Sequence, residues 1–161
     1  MSSSAMTEAI LTVAVVIAAS TVAAIFLQNT SFLNNAQISA SQNAKDAMDT
    51  QFKIEFATNS SYNQATIWIK NTGTTALGLS EIKSFDVFFG PSGSEDMVTY
   101  NANTLPSWNF TILSGTNSQS TWTPAGTVEI TINLPYTLTS GDYHVIVTSY
   151  NGVSADYYFS L

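Results

Sequence analysis

A chain of 161 residues with four lysines, no arginine and eleven acidic residues carries a net charge of −7. It has no basic surface to neutralise phosphates, so nucleic acid is excluded as a partner. The absence of cysteine removes disulfide staples, thiolate catalysis and cysteine-ligated zinc, and leaves any core to packing and hydrogen bonds.

The first element is an uncharged, mostly apolar run from Ala9 to Leu27 without proline or glycine. About 20 such residues at about 1.5 Å each span the roughly 30 Å hydrocarbon layer of a bilayer. The run exceeds the roughly 7 to 15 residues of a secretory core and no basic residue precedes it, so a retained membrane or filament-core helix is expected. On that helix Ile10, Val13, Ile17, Val22 and Phe26 are candidates for packing against lipid or neighbouring helices. Glu8 lies just before the run, where a carboxylate near a helix N-terminus is favourable. The nearest basic residues, Lys45 and Lys53, lie well beyond the run and give little orientation signal.

From Gln28 to Gln51 the chain is polar. Leu33, Ala36, Ala40, Ala44 and Ala47 still recur at spacings of three and four, which predicts a helical stalk with a seam of small residues for close approach of neighbours. The alternative is a frayed linker whose alanines are only good helix formers. Asn29, Thr30 and Ser31 are expected to weaken the helix where it leaves the apolar layer. Residues 1–51 are thus read as hydrophobic helix and stalk, and 52–161 as an extracytoplasmic β-domain.

Beyond the stalk the period changes to two. Phe52, Ile54 and Phe56 alternate with polar neighbours, as do Ile67 and Ile69, and Val128, Ile130, Ile132 and Leu134. Further runs at Phe85–Phe89, Met97–Tyr100, Phe110–Leu113, Tyr143–Tyr150 and Ala155–Phe159 bring the strands to about eight. Turn residues separate them, with Asn151-Gly152 the clearest hairpin. The fold class predicted is mainly β with one long N-terminal α-helix: a transmembrane or filament-core helix followed by an immunoglobulin-like antiparallel β-sandwich. Its edge strands are the natural contact surface.

Chemistry-bearing residues are sparse. His144 is read as a surface or satisfied strand histidine, and no nucleophile elbow or acid–base pair accompanies it. Neither an enzyme, nor a cofactor, nor a metal site is expected; the carboxylates lack an EF-hand pattern. Trp68, sharing a strand face with Thr66 and Lys70, is the candidate interface residue, whereas core packing is expected for at least one of Trp68, Trp108 and Trp122. Sequons at Asn29, Asn59 and Asn109 are candidate glycosylation sites.

An uncharged start with Glu8, one apolar helix, an alanine-bearing stalk and a C-terminal sandwich resembles the archaeal type IV pilin-like superfamily. Ile67-Trp68-Ile69-Lys70-Asn71-Thr72-Gly73, Phe85-Asp86-Val87-Phe88-Phe89-Gly90-Pro91, Trp122-Thr123-Pro124-Ala125-Gly126 and Gly141-Asp142-Tyr143-His144-Val145 bring it nearest to the FlaG/FlaF family of archaellum accessory proteins. Met1-Ser2-Ser3-Ser4 supplies neither the basic residue nor the glycine at which pilin and archaellin precursors are cut, which favours the accessory proteins. The resemblance implies assembly in place of chemistry: a homo-oligomer or filament, held by the cytoplasmic membrane with its β-domain outside. It also implies a FlaF-like partner and attachment to a surface-layer protein, directly or through that partner, in a stator-like role in swimming. The alternative is a pilin or archaellin-like filament subunit, or an adhesion module recognising cell-surface glycans.

Overall fold

The structure, a computed structural model, describes residues 2–113 and 120–161. It divides into two compact units, residues up to Ala44 and Lys45–Leu161.

A single helix, α1 (Ser2–Asp49), has no glycine or proline to interrupt it. The hydroxyls of Thr7, Thr12, Ser20, Thr21 and Thr30 are turned back onto the helix. Thr12 donates to the carbonyl of Glu8, Thr21 to that of Ile17 and Thr30 to that of Phe26, at 2.8 to 2.9 Å. A hydroxyl bonded within its own helix enters an apolar medium without a stranded donor. The helix runs through Asn29-Thr30-Ser31, where weakening was expected, without a break. The described side chains of this unit are all exposed.

Two sheets enclose one core in the second unit. Sheet I orders β1 (Phe52–Ser61), β2 (Gln64–Asn71), β8 (Thr127–Asn133) and β6 (Ser107–Ile112). Sheet II orders β5 (Asp96–Tyr100), β4 (Asp86–Pro91), β9 (Asp142–Thr148) and β10 (Ser154–Ser160). Alternation decides the layers: Ile67, Ile69, Val128, Ile130 and Ile132 point inward from sheet I, and Val87, Phe89, Val145 and Val147 from sheet II. Each such side chain contributes about 1.5–3 kcal/mol on burial, and the aromatic groups Phe52–Phe85–Trp122 and Phe89–Tyr143–Phe159 fill the space between.

The predicted sandwich is present, with one departure from antiparallel order. β5 and β6 are consecutive yet pair in parallel, because the chain passes from sheet II to sheet I between them and joins the sheets along that side. On the other side the two free edges, β1 and β10, lie beside one another, and β1 is irregular at Ile54/Phe56 and Asn59/Ser61. Neither is the smooth, open edge that strand addition requires. Asn151-Gly152 forms the expected β9–β10 hairpin, with Gly152 at φ 83°. A small pair, β3 (Leu77–Gly78) with β7 (Thr121–Trp122), and the one-turn helix α2 (Leu79–Lys83) were not legible; two-residue strands have no period to read.

Candidate interaction surfaces

Three constructions on the β-unit can bear load or bind. The first is the joint at the end of α1. A helix leaves its last carbonyls unpaired, and here the loop after β2 and the β9–β10 hairpin supply the donors. Asp49 O accepts from the amides of Thr74 and Thr75, both at 2.9 Å, and Gln51 O from Thr72 at 2.9 Å and Gly73 at 2.7 Å. The Thr74 hydroxyl donates to the Asp49 carboxylate at 2.7 Å. The Asn151 side chain donates to Asp46 O and to the Thr50 hydroxyl. Gly73 is obligatory, because a Cβ there would stand 2.2 Å from Asp49 O.

That loop is held by a buried asparagine. Asn71, 1% exposed, donates to the carbonyls of Thr75 and Trp122 and accepts from the amide of Gly73 at 2.9 Å. Trp122, equally buried, donates its indole N–H to Gly126 O at 2.9 Å, and Gly126 O also accepts from the Asn71 amide. Two of the segments that carry the sequence resemblance therefore meet at this joint. Beside it, burial and then the neighbouring Glu81 carboxylate push the Tyr150 phenol up from its ordinary value.

The second is the outer face of sheet I. Cross-strand pairing sets Phe56 opposite Trp68, with ring centroids 5.7 Å apart and stacked, and Trp68 opposite Glu129. Phe56 is half exposed and Trp68 partly buried beneath it. Lys53 and Lys70 face each other in the next row, and Thr58, Thr66, Thr131 and Asn109 follow beyond. The third lies on sheet II, where the other two resemblance segments pair: β4 lies against β9 with Gly90 opposite His144. His144 is 7% exposed, stacked on Tyr158 at 3.8 Å and 4°. Its Nδ1 lies 2.7 Å from a Glu95 oxygen and its Nε2 lies 3.4 Å from an Asp156 oxygen. Carboxylates only accept, so each ring nitrogen has an acceptor beside it. The Gly93 amide and then His144 hold the Glu95 carboxyl below its ordinary value.

The structure places Glu8, Ile10, Val13, Ile17, Val22, Phe26, Leu33, Ala36 and Ala40 on exposed helix. Trp68 is on the outer sheet face. Trp108 and Trp122 are in the core. Of the sequons, Asn29 lies on α1, Asn59 on the edge strand β1 and Asn109 on the outer face of sheet I, all exposed. Among the described residues no three metal-ligating side chains gather. Sequence reasoning missed the part that Asn71, Thr74 and Asn151 play at the joint, although Asn151-Gly152 was read as a hairpin turn. It also missed Glu95 and Asp156, which lie 49 and 12 positions from His144.

The chain carries an apolar helix and a β-sandwich without cysteine, and among the described residues no metal-ligating cluster gathers. The chain belongs to the archaeal-type flagellin family, whose profile matches residues 2–159. It is similar to the archaellum periplasmic stator protein FlaG from Sulfolobus acidocaldarius, at 31% identity and TM-score 0.59, over 68% of this chain and 99% of that one. It is likewise similar to a chain of the FlaF–FlaG stator complex from the same organism, at 32% identity and TM-score 0.58, over 68% and 89%. No curated protein matches. These relatives are structural archaellum proteins; the chain is a structural component of the archaellum and not an enzyme.

Proposed function

We propose that the protein is a membrane-anchored, stator-like element of the archaellum, whose β-sandwich stands outside the cytoplasmic membrane and joins a FlaF-like partner to hold the motor against the surface layer. The observation that carries this reading is the joint at the end of α1. A membrane helix alone drifts in the plane of the bilayer, so resisting torque requires a stiff connection to something fixed. At the joint the terminal carbonyls of α1 are engaged from two separate loops, and Gly73 permits backbone contact that no side chain would allow. The 18-residue apolar stretch of the helix has a mean hydropathy of 2.6, suited to lipid or to a bundle of like helices, and the alanine seam of the stalk suits self-association into an oligomer or filament. FlaG's structure in complex with FlaF supports a FlaF-like partner here. Trp68 is the candidate interface residue, and Asn59 and Asn109 are exposed acceptors for glycans on an exported domain.

The test is reconstitution. The full chain, in detergent, is mixed with a FlaF-like protein and then with isolated surface-layer sheets. The reading requires a stable complex in sedimentation that the sheets carry down. A chain that binds the sheets equally without the partner, or binds surface glycans alone, would favour the adhesion reading.

A further inference from the structure

We propose that Asn151 is a site of spontaneous deamidation that the joint holds in check, and that the reaction, once it has occurred, prevents the joint from re-forming. The chain has a single Asn-Gly pair, Asn151-Gly152. In such a pair the backbone nitrogen of the glycine approaches the asparagine side chain without a Cβ in the way. The Gly152 nitrogen bonds to Cγ of Asn151 and the Cγ–Nδ2 bond breaks. Nδ2 leaves as ammonia, taking the proton that the Gly152 nitrogen gives up. The succinimide ring so formed takes up one water and opens to aspartate or, through its other carbonyl, to isoaspartate. Water is the only co-reactant.

In the folded joint the reacting groups are all engaged. Nδ2 of Asn151 donates to Asp46 O at 3.3 Å and to the Thr50 hydroxyl. Oδ1 accepts from the Ser149 hydroxyl and from the Val153 amide at 3.4 Å. The attacking nitrogen, that of Gly152, donates its proton to Ser149 O at 2.9 Å. Reaction therefore waits on opening of the joint, and its rate follows the open fraction. The product does not fit back. A carboxylate only accepts, so an oxygen in the place of Nδ2 faces Asp46 O, acceptor against acceptor. The Thr50 hydroxyl already donates to Asp46 O at 2.8 Å and has one proton for the two. Asn151 also lines a cleft of about 150 Å³ with Asp46, Asp49, Thr50, Thr75 and Tyr150, so the new charge joins two carboxylates. Neither makes an ion pair among the described residues. Isoaspartate further lengthens the main chain inside the hairpin turn. The contact that ties the end of α1 to the sandwich thus carries its own slow, one-way release. The reaction involves the joint and no partner, so its outcome is independent of the stator-like reading.

The test holds the full chain in detergent at mildly alkaline pH and maps its peptides by mass spectrometry, beside a synthetic peptide of residues 146–156. Deamidation at Asn151 is expected to be at least about tenfold slower in the folded chain than in the peptide, because only the open fraction reacts. Thr50→Val removes the hydroxyl that holds the amide while keeping the side chain's shape, and is expected to raise the rate at least about threefold. Urea well below the unfolding midpoint opens the joint without a substitution and is expected to act in the same direction. Deamidated chain, separated by its added charge, should exchange the amide protons of Thr50, Thr74 and Thr75, which bond to the last carbonyls of α1, faster than unmodified chain does. A folded chain that deamidates as fast as the peptide, or a Thr50→Val chain that melts as the wild type and reacts no faster, would overturn the proposal. So would a rate that stays flat in urea until the whole sandwich unfolds, or joint amides that exchange as slowly after deamidation as before.

Discussion

Gly73 and Asn71 show how much of this molecule depends on single side chains. At Gly73 a methyl group would fall 2.2 Å from a backbone oxygen that is itself fixed by two amides, so the loop or the helix end must move. Gly73→Ala is expected to destabilise the protein by roughly 2 to 3 kcal/mol, read as a lowered melting midpoint. A midpoint unchanged within error would show that the joint yields and is no stiff coupling. Glu95 supplies a pH prediction. The Gly93 amide and then His144 hold its carboxyl below the ordinary 4.5, so its contribution to stability is present above that value and is lost as the pH falls below it. In Glu95→Gln the fall in melting midpoint on the acid side should become shallower in plots against pH; an identical fall would remove Glu95 from the account.

At the scale of elements, what could be read from the chain was what repeats. The apolar run and the 2-residue alternation of Val128 to Leu134 announce helix and strand because burial acts on every turn or every second residue. The Asn151-Gly152 hairpin was legible for a local reason, the positive φ that glycine accepts. The parallel β5–β6 pair, the proximity of β1 and β10, and the grouping of Glu95, His144 and Asp156 were not, since each joins residues whose separation leaves no periodic trace. Trp68 was placed on an outer face by its alternation with Ile67 and Ile69, but its stacking with Phe56 depends on a bulge in β1 that no pattern marks. The stalk carries its own prediction. If Ala36 and Ala40 line a helix–helix seam, Ala36→Leu with Ala40→Leu keeps the helix, because leucine is also a good helix former, yet forces neighbours apart. Circular dichroism should be unchanged while the assembled fraction drops; unchanged assembly would return the stalk to a plain spacer.

At the scale of the whole molecule the chain carries one long helix and one β-sandwich. Its helix is apolar on every side through the membrane-length run, and its sandwich is acidic, disulfide-free and held by one aromatic-rich core. Low charge and abundant Ser, Thr and Asn suit an acidic exterior, where carboxylates lose their mutual repulsion, and a β-domain that unfolded between neutral pH and pH 3 would count against that setting. The central claim is that this chain builds an envelope attachment together with a partner. The most direct measurement is electron microscopy of the purified full-length protein as detergent is withdrawn, with and without the FlaF-like protein. The account predicts filaments or ordered oligomers that the partner caps or shortens. Dispersed particles indifferent to the partner would contradict it and leave a single-pass binding module in its place.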